Sequence, residues 1–345
     1  MASHERYNRS RPFHFIFIRS CSTYSHPKPT DASGRECTRG WKYSYMAERL
    51  LHYEILERLG EGARSTIYSV VDPQTRKIFA LKHVVRKEQK DIRFIEQMET
   101  EYEISRQFTH RNLRRSYELK LVKTLLLKVS EAFLVMELVD GRPLDVSPPS
   151  NMMQMLDVFI QAAQGLKAMH QMGYIHCDIK PNNILRNEAG EVKIIDFGQS
   201  CAIGTVKERI QGTPDFIAPE QVSRRPVSVQ TDVFNLGATL YWACTGRHIP
   251  TLYTVNKKGE NSFLMDTRID TPQDLNPKVP AAVSNLIMEM ISTRVQKRPS
   301  DMDEVITRLE LGKHVLNKQS GIETPPSQAT LQQMSGESGA PIKQT

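Results

Sequence analysis

The prevailing spacing of apolar residues changes near residue 140 of this 345-residue chain, and that change limits the folds open to it. Before it come "YEILERLGEG", "STIYSVVDP", "KIFALKHVV", "SYELKLV" and "AFLVMELV", short runs rich in β-branched and aromatic residues. A Gly turn and the segment "DPQTRK" separate the first three, as in an antiparallel meander. One helix interrupts the strands over Asp91 to Phe108, where Ile95, Met98, Tyr102 and Ser105 recur at helical spacing. After the breaks at "DGRP" and "SPPS" the period becomes helical, over Met152 to Met172, Thr231 to Thr245, Ala281 to Thr293 and Met302 to Leu311. In the first of these, Leu156, Phe159, Ala163, Leu166 and His170 form a core stripe, and His170 reads as a packed histidine rather than a ligand. Strands first and helices after predict an α+β fold, a small antiparallel sheet with one helix followed by a larger, mainly α-helical lobe.

Composition narrows the function classes. No apolar run approaches the roughly 18 residues a spanning helix needs, so no membrane span is expected. The net charge of +7 is concentrated in residues 1–45, where eight Lys or Arg face three acids. The rest of the chain is nearly neutral, and no nucleic-acid partner is expected. Five cysteines without C-x-x-C spacing suit a reducing compartment better than a disulfide framework or a zinc site. The expected organisation is a disordered basic extension over 1–45, a folded domain over 46–316 divided near 139/140, and a disordered polar tail over 317–345.

Within the folded part, "LGEGARSTI" joins strand to strand, and Gly60 and Gly62 let backbone amides approach phosphate oxygens. In "FALK", Lys82 can place one ammonium near phosphate, and Glu101 on the following helix can hold it extended. "YIHCDIKPNNIL" supplies Asp178 to accept or orient a hydroxyl proton, Lys180 to neutralise transferred charge, and Asn183 as a neutral oxygen ligand for a hard cation. In "IIDFG" Asp196 follows an apolar strand and can bridge metal to phosphates. Each residue alone has a bland reading; the ordered set does not.

That set, with "GTPDFIAPE", Asp232 and Arg298, resembles a protein kinase of the eukaryotic-like serine/threonine type, in bacterial style, over roughly Tyr53 to Leu316. The resemblance implies a bilobal protein kinase fold using ATP and Mg2+. Leu59, Gly60, Glu61, Gly62 and Ser65 would form the loop over the phosphates. Lys82, fixed by Glu101, would hold the α and β phosphates. Ile67, Ala80, Leu185 and Ile195 would enclose adenine, with Met136 behind it and Glu137 and Leu138 in the hinge. Asp178 would be the catalytic base, Lys180 would contact the γ-phosphate, and Asn183 and Asp196 would bind the metal. Glu220 would pair with Arg298, Asp232 would support the catalytic loop, and Thr213 would sit near Asp178. Lys180-Pro181 and "GTP" resemble the serine/threonine rather than the tyrosine class, so Ser or Thr hydroxyls of protein substrates are the expected acceptors, with autophosphorylation as a further outcome.

Two residues depart from the family pattern. Ser65 stands where a glycine is usual, which predicts modestly weaker ATP binding. Cys177 stands where relatives commonly carry an Arg that pairs with a phosphate on the activation segment, and a thiol cannot supply that bond. The segment from Asp196 to Glu220 is therefore expected to reach its active form without phosphate or through a regulatory partner. Bacterial relatives often continue into a membrane span and this chain stops first, so a cytoplasmic protein is expected. A nucleotide-binding pseudokinase-like scaffold is the alternative reading, and a kinase of small molecules is disfavoured by "GTPDFIAPE".

Overall fold

The computed structural model describes residues 48–62, 64–124, 128–249 and 269–319. The expected extension over 1–45, and the expected tail from 320 onward, lie outside the described residues. The chain divides at residue 140 into two compact units, with residues 110–113 belonging to the second.

The first unit is built on one six-stranded antiparallel sheet in the order β1-β2-β3-β4-β6-β5. Its strands are β1 (Arg49–Leu50), β2 (Tyr53–Glu61), β3 (Ser65–Val71), β4 (Ile78–Val85), β5 (Ser116–Lys123) and β6 (Val129–Met136), and helix α1 (Ile92–Ser105) follows β4. Alternation along the strands sorts side chains into two clusters. Ala80, Val84, Ala132, Leu134 and Met136 share one face with Ile95 and Met98 of α1. Leu81, Phe133 and Val135, one residue out of phase, pack on the other face with Tyr53 and Val70. Strand β6 starts three residues before the apolar run that predicted it and ends at Met136. Its polar opening, Ser130 and Glu131, is held by the backbone ladder, since Glu131 pairs with Val122 and Val85 on either side.

The second unit is mainly helical, with α2 (Met152–Gln171), α3 (Pro219–Val222), α4 (Val229–Thr245), α5 (Pro272–Leu275), α6 (Ala281–Met290) and α7 (Met302–Gln319). Two small sheets punctuate it, β10 (Val192–Ile194), β9 (Ile184–Arg186) and β7 (Arg142–Pro143) in one, β11 (Cys201–Ala202) and β8 (Tyr174–Ile175) in the other. Asn151 caps α2 by accepting the Gln154 N–H at 2.9 Å. Helix α4 is buried nearly all round, as expected for the centre of a helical core. It ends at Gly246, whose φ of 69° is the left-handed conformation that closes a helix.

Helix α7 runs to Gln319, past the expected stop at Leu311 and three residues into the expected polar tail. The glycine after Leu311 is not a cap. Gly312 stays helical where a Cβ would collide with the Val283 side chain, so its smallness serves the packing of α7 on α6.

Gly237 plays the same part inside α4. An added Cβ there would lie 2.5 Å from the Met290 Cβ and 3.3 Å from Ile291 Cγ2. Alanine would gain about 1 kcal/mol of helix propensity but meet an overpacking cost of about 1–3 kcal/mol. Gly237→Ala is therefore expected to lower the urea midpoint; an unchanged or raised midpoint would show that α4 and α6 can separate freely.

Candidate active site

In the first unit, strand period and helix period bring two charges together. Lys82 lies two residues from both Ala80 and Val84 on β4 and so shares with them the face covered by α1. Glu101 follows Ile95 and Met98 at spacings of six and three and lies on the same buried side of the helix. Lys82 Nζ reaches Glu101 Oε2 at 2.7 Å, and the Glu101 side chain is fully buried. Its other oxygen accepts from Arg114. One buried carboxylate thus holds two cations.

The glycine loop leaves β2 at Gly60 and Glu61 and turns where the Gly62 N–H donates to the Ser65 carbonyl at 2.7 Å. Ser65 opens β3 in register with Val84, so a side chain there costs the backbone nothing. Leu59 is buried in the core, whereas Glu61 is exposed and pairs with Arg58, so only its backbone belongs to the loop. Arg64 donates to the Asp91 carboxylate at 3.1 Å, tying the loop exit to the start of α1. Burial works against the charge on Asp91, yet the Glu88 and Lys87 amides and Arg64 hold its carboxyl below the usual range. Ala80 and Met136 are buried, Ile67 and Leu138 pack against the same cluster, and Glu137 donates its N–H to the Arg115 carbonyl at 2.9 Å.

The second unit gathers Asp178, Lys180, Asn183, Asp196 and Thr213. Lys180 Nζ donates to Asp178 Oδ2 at 2.8 Å and to Thr213 Oγ1 at 2.9 Å, and that hydroxyl donates to Asp178 Oδ1 at 2.9 Å. Burial depresses the Lys180 ammonium, but the Asp178 and Asp196 carboxylates outweigh it and raise its pKa. Asn183 spends its amide nitrogen on the Asp178 carbonyl at 2.8 Å, which leaves its oxygen as the ligand group. Leu185 and Ile195 are buried beside this loop.

Two non-glycine residues here take left-handed backbone, Cys177 at φ 66° and Asp196 at φ 64°. Such positions cost about 1–3 kcal/mol each and persist where surroundings enforce them. For Cys177 the enforcers are plain. Asp232, fully buried on α4, accepts the His176 N–H at 2.8 Å and the Cys177 N–H at 2.9 Å. Gln221 Nε2 donates to the Cys177 carbonyl at 2.7 Å. His176 Nδ1 faces the Asp178 N–H at 3.3 Å, so Nε2 carries the hydrogen donated to the Ile195 carbonyl at 3.2 Å. That last bond reaches the residue before Asp196.

Glu220 and Arg298 form a buried bidentate pair at 2.7 and 3.0 Å, with Thr231 donating to Glu220 at 2.9 Å. Four contributors carry no signal in the sequence motifs. These are Arg114, Arg64, Gln221 and His170, whose Nε2 lies 2.8 Å from Asp232 Oδ2. His170 is packed as its stripe position predicts and is also a hydrogen-bond partner of the loop's anchor. Asp145 is a fifth. Asn182 donates to it, and burial raises its pKa.

With this geometry in place, comparison with known proteins assigns the class. Residues 53–309 match the protein kinase domain family, and the chain belongs to it. It is similar to the MAP kinase kinase MKK1/SSP32 of Saccharomyces cerevisiae, 33% identical over 60% of this chain and 41% of that protein. It is similar to a probable serine/threonine-protein kinase of Clostridium acetobutylicum, 24% identical over 74% and 39%. It also resembles the serine/threonine-protein kinase PknA of Mycobacterium tuberculosis, 28% identical over 68% and 55%. The chain thus spans about half or less of the length of these relatives. Among the described residues, no helix is long and apolar enough to cross a membrane.

Asp232→Asn tests the anchor. An amide offers one acceptor oxygen where the carboxylate serves three partners, and turns an NH2 toward an N–H. Each buried group left unsatisfied costs roughly 1–3 kcal/mol. Expected are a lower melting temperature and faster hydrogen exchange at the His176 and Cys177 amides; unchanged exchange there would remove Asp232 from this role.

Proposed function

We propose that this chain transfers the γ-phosphoryl group of MgATP to Ser and Thr hydroxyls of proteins, its own among them. The observation that carries this reading is the Asp178–Lys180–Thr213 triangle, a carboxylate, an ammonium and a hydroxyl all within 3 Å of one another. Catalysis of phosphoryl transfer consists mainly of positioning and charge neutralisation. Asp178 orients the acceptor hydroxyl and takes its proton as the O–P bond forms. Lys180 sits where it offsets charge on the transferred group. Lys82, kept extended by Glu101, holds the remaining phosphates. The hydroxyl of Thr213 shapes the space beside Asp178 for an aliphatic alcohol.

The donor set fits Mg2+. Asn183 and Asp196 offer two hard oxygen ligands, and Mg2+ is typically held by one or two carboxylates together with substrate phosphates and water. Asn183 and Asp196 would hold the ion, which when bound would offset negative charge on the phosphates. The nucleotide-binding scaffold reading gains nothing from a chain that keeps Lys82, Asp178, Asn183 and Asp196. A cytoplasmic setting is supported by the scattered cysteines, and regulatory partners by the missing cation at residue 177.

Purified protein with labelled MgATP and a basic protein substrate is expected to yield phosphoserine and phosphothreonine. Asp178→Asn, Asp196→Asn and Lys82→Met are each expected to lower the rate at least 100-fold, within the range that general-base or electrostatic losses produce. Full activity of Asp178→Asn would overturn the mechanism, and phosphotyrosine as the main product would overturn the acceptor class.

The activation segment is proposed to take its working form without phosphate. Cys177 is buried to 1% exposure and supplies no cation, and Ser200 is equally enclosed at 2%, 3.4 Å from the His176 carbonyl. A phosphate at Ser200 would be buried without a matching charge on the catalytic loop. Ser200→Ala and Thr205→Ala are expected to stay within about threefold of wild-type rate, well inside the 10²–10⁴-fold that loss of a catalytic group brings. Loss of activity in either would show that phosphorylation is required.

A further inference from the structure

Cys177 and Cys201 place their sulfurs 3.7 Å apart, one on the loop that carries Asp178 and one opening strand β11. The two thiols differ in surroundings. Cys177 is 1% exposed and sits in a small apolar cluster with Ile175 and Val227, against which Cys201 and Val229 pack from the rim. Cys201 is half-buried, and its neighbours Ala202, Ile203 and Gly204 are exposed. The strand pairing fixes the approach, since Cys201 faces Ile175 across β11 and β8.

We propose that Cys177 and Cys201 are a redox modification site, an oxidisable dithiol in which Cys201 reacts first with a peroxide and Cys177 resolves it to a disulfide. The Cys201 thiolate attacks one peroxide oxygen, the O–O bond breaks, and the displaced oxygen leaves as water after taking up a proton. Cys201 is then a sulfenic acid. The Cys177 sulfur attacks the Cys201 sulfur, the S–O bond breaks, and the thiol proton leaves with the hydroxide as a second water. Two thiols are oxidised to one disulfide and one peroxide is reduced to two waters, so electrons and atoms balance.

The order of events follows from access and charge. A hydrogen bond from Cys177 and the Lys207 ammonium hold the Cys201 thiol below the ordinary cysteine range, while the same contact and burial push Cys177 well above it. Lys207 is kept in place by its bond to the Gln199 carbonyl at 2.6 Å. The sulfurs must close from 3.7 Å to about 2.05 Å. Cys177 is fixed by Asp232 at its N–H and Gln221 at its carbonyl, so the two-residue strand β11 makes the movement. The product is a covalent staple between the residue preceding Asp178 and the start of the activation segment. Formation of the bond does not depend on the proposed activity, so the two readings fail separately.

The test uses the full chain with all five cysteines, treated with hydrogen peroxide, blocked with iodoacetamide and mapped by mass spectrometry. Expected is a Cys177–Cys201 disulfide, about 2 Da lighter than the dithiol and reversed by dithiothreitol. Cys177→Ser should instead leave a sulfenic acid at Cys201 that dimedone traps, and Cys201→Ser, at a half-buried rim position, should give neither product. Hydrogen exchange across β11 and residues 175–178 should slow in the oxidised protein. Both cysteines remaining alkylatable, Cys201 pairing with Cys21, Cys37 or Cys244, or oxidation of Cys201 past sulfenic acid while Cys177 stays a thiol would each overturn the proposal.

Discussion

The carboxylate of Asp232 carries more of this site than any group that would touch a substrate. It lies on a helix buried nearly all round, so its position is set by the core of the second unit. From there it accepts two consecutive backbone N–H groups and faces His170. Consecutive amides can point at one acceptor only if the chain bends sharply, and the left-handed φ of Cys177 is that bend. The next residue is Asp178, whose carboxylate meets Lys180 and Thr213. A strained loop is thereby bolted to a rigid element, and the acid that would take the proton inherits the helix's precision.

The first unit solves the matching problem for Lys82 by a different route. A lysine on a strand is normally solvated and mobile. Here the alternation that buries Ala80 and Val84 forces Lys82 against α1, and the helix period puts Glu101 at the same height. Burying a lone carboxylate would cost several kcal/mol, but Arg114 and Lys82 supply compensating charges and hydrogen bonds. The arrangement also makes Glu101 depend on both cations, so the geometry of Lys82 reports on the packing of α1.

Much of this was legible in the sequence because the two periods are regular and the motif residues lie on them. The strands, α1, α2 and α4 follow from apolar spacing, and the Lys82–Glu101 pair follows from combining strand and helix faces. What escaped reading belongs to residues whose role is set by tertiary approach. Gln221 is a polar residue after "APE" with no periodic mark, yet it bonds the Cys177 and Gln211 carbonyls and accepts from Ala218 and Asn235. Arg114 lies in a loop, and only the fold brings it to Glu101. Gly312 follows the expected helix end at Leu311, yet the helix runs on and the close approach of Val283 requires the glycine.

The residue at 177 alters what holds the activation segment. An arginine at this position would be a buried cation in need of an anion, and a phosphate would meet that need. A cysteine removes both sides of the requirement at once. The segment is held by bonds to neutral groups, through the Gln221 amide, the pairing of β11 with β8, the Gly204 N–H to the Val227 carbonyl at 2.8 Å, and the Lys207 ammonium to the Gln199 carbonyl at 2.6 Å. Buried amide bonds are screened little by salt, whereas a partly exposed charge pair weakens as ionic strength rises. On the proposed phosphate-independent reading, a segment tethered in this way would give up the energy step that a phosphate provides. The proposed disulfide between Cys177 and Cys201 would tighten that tether at the same place.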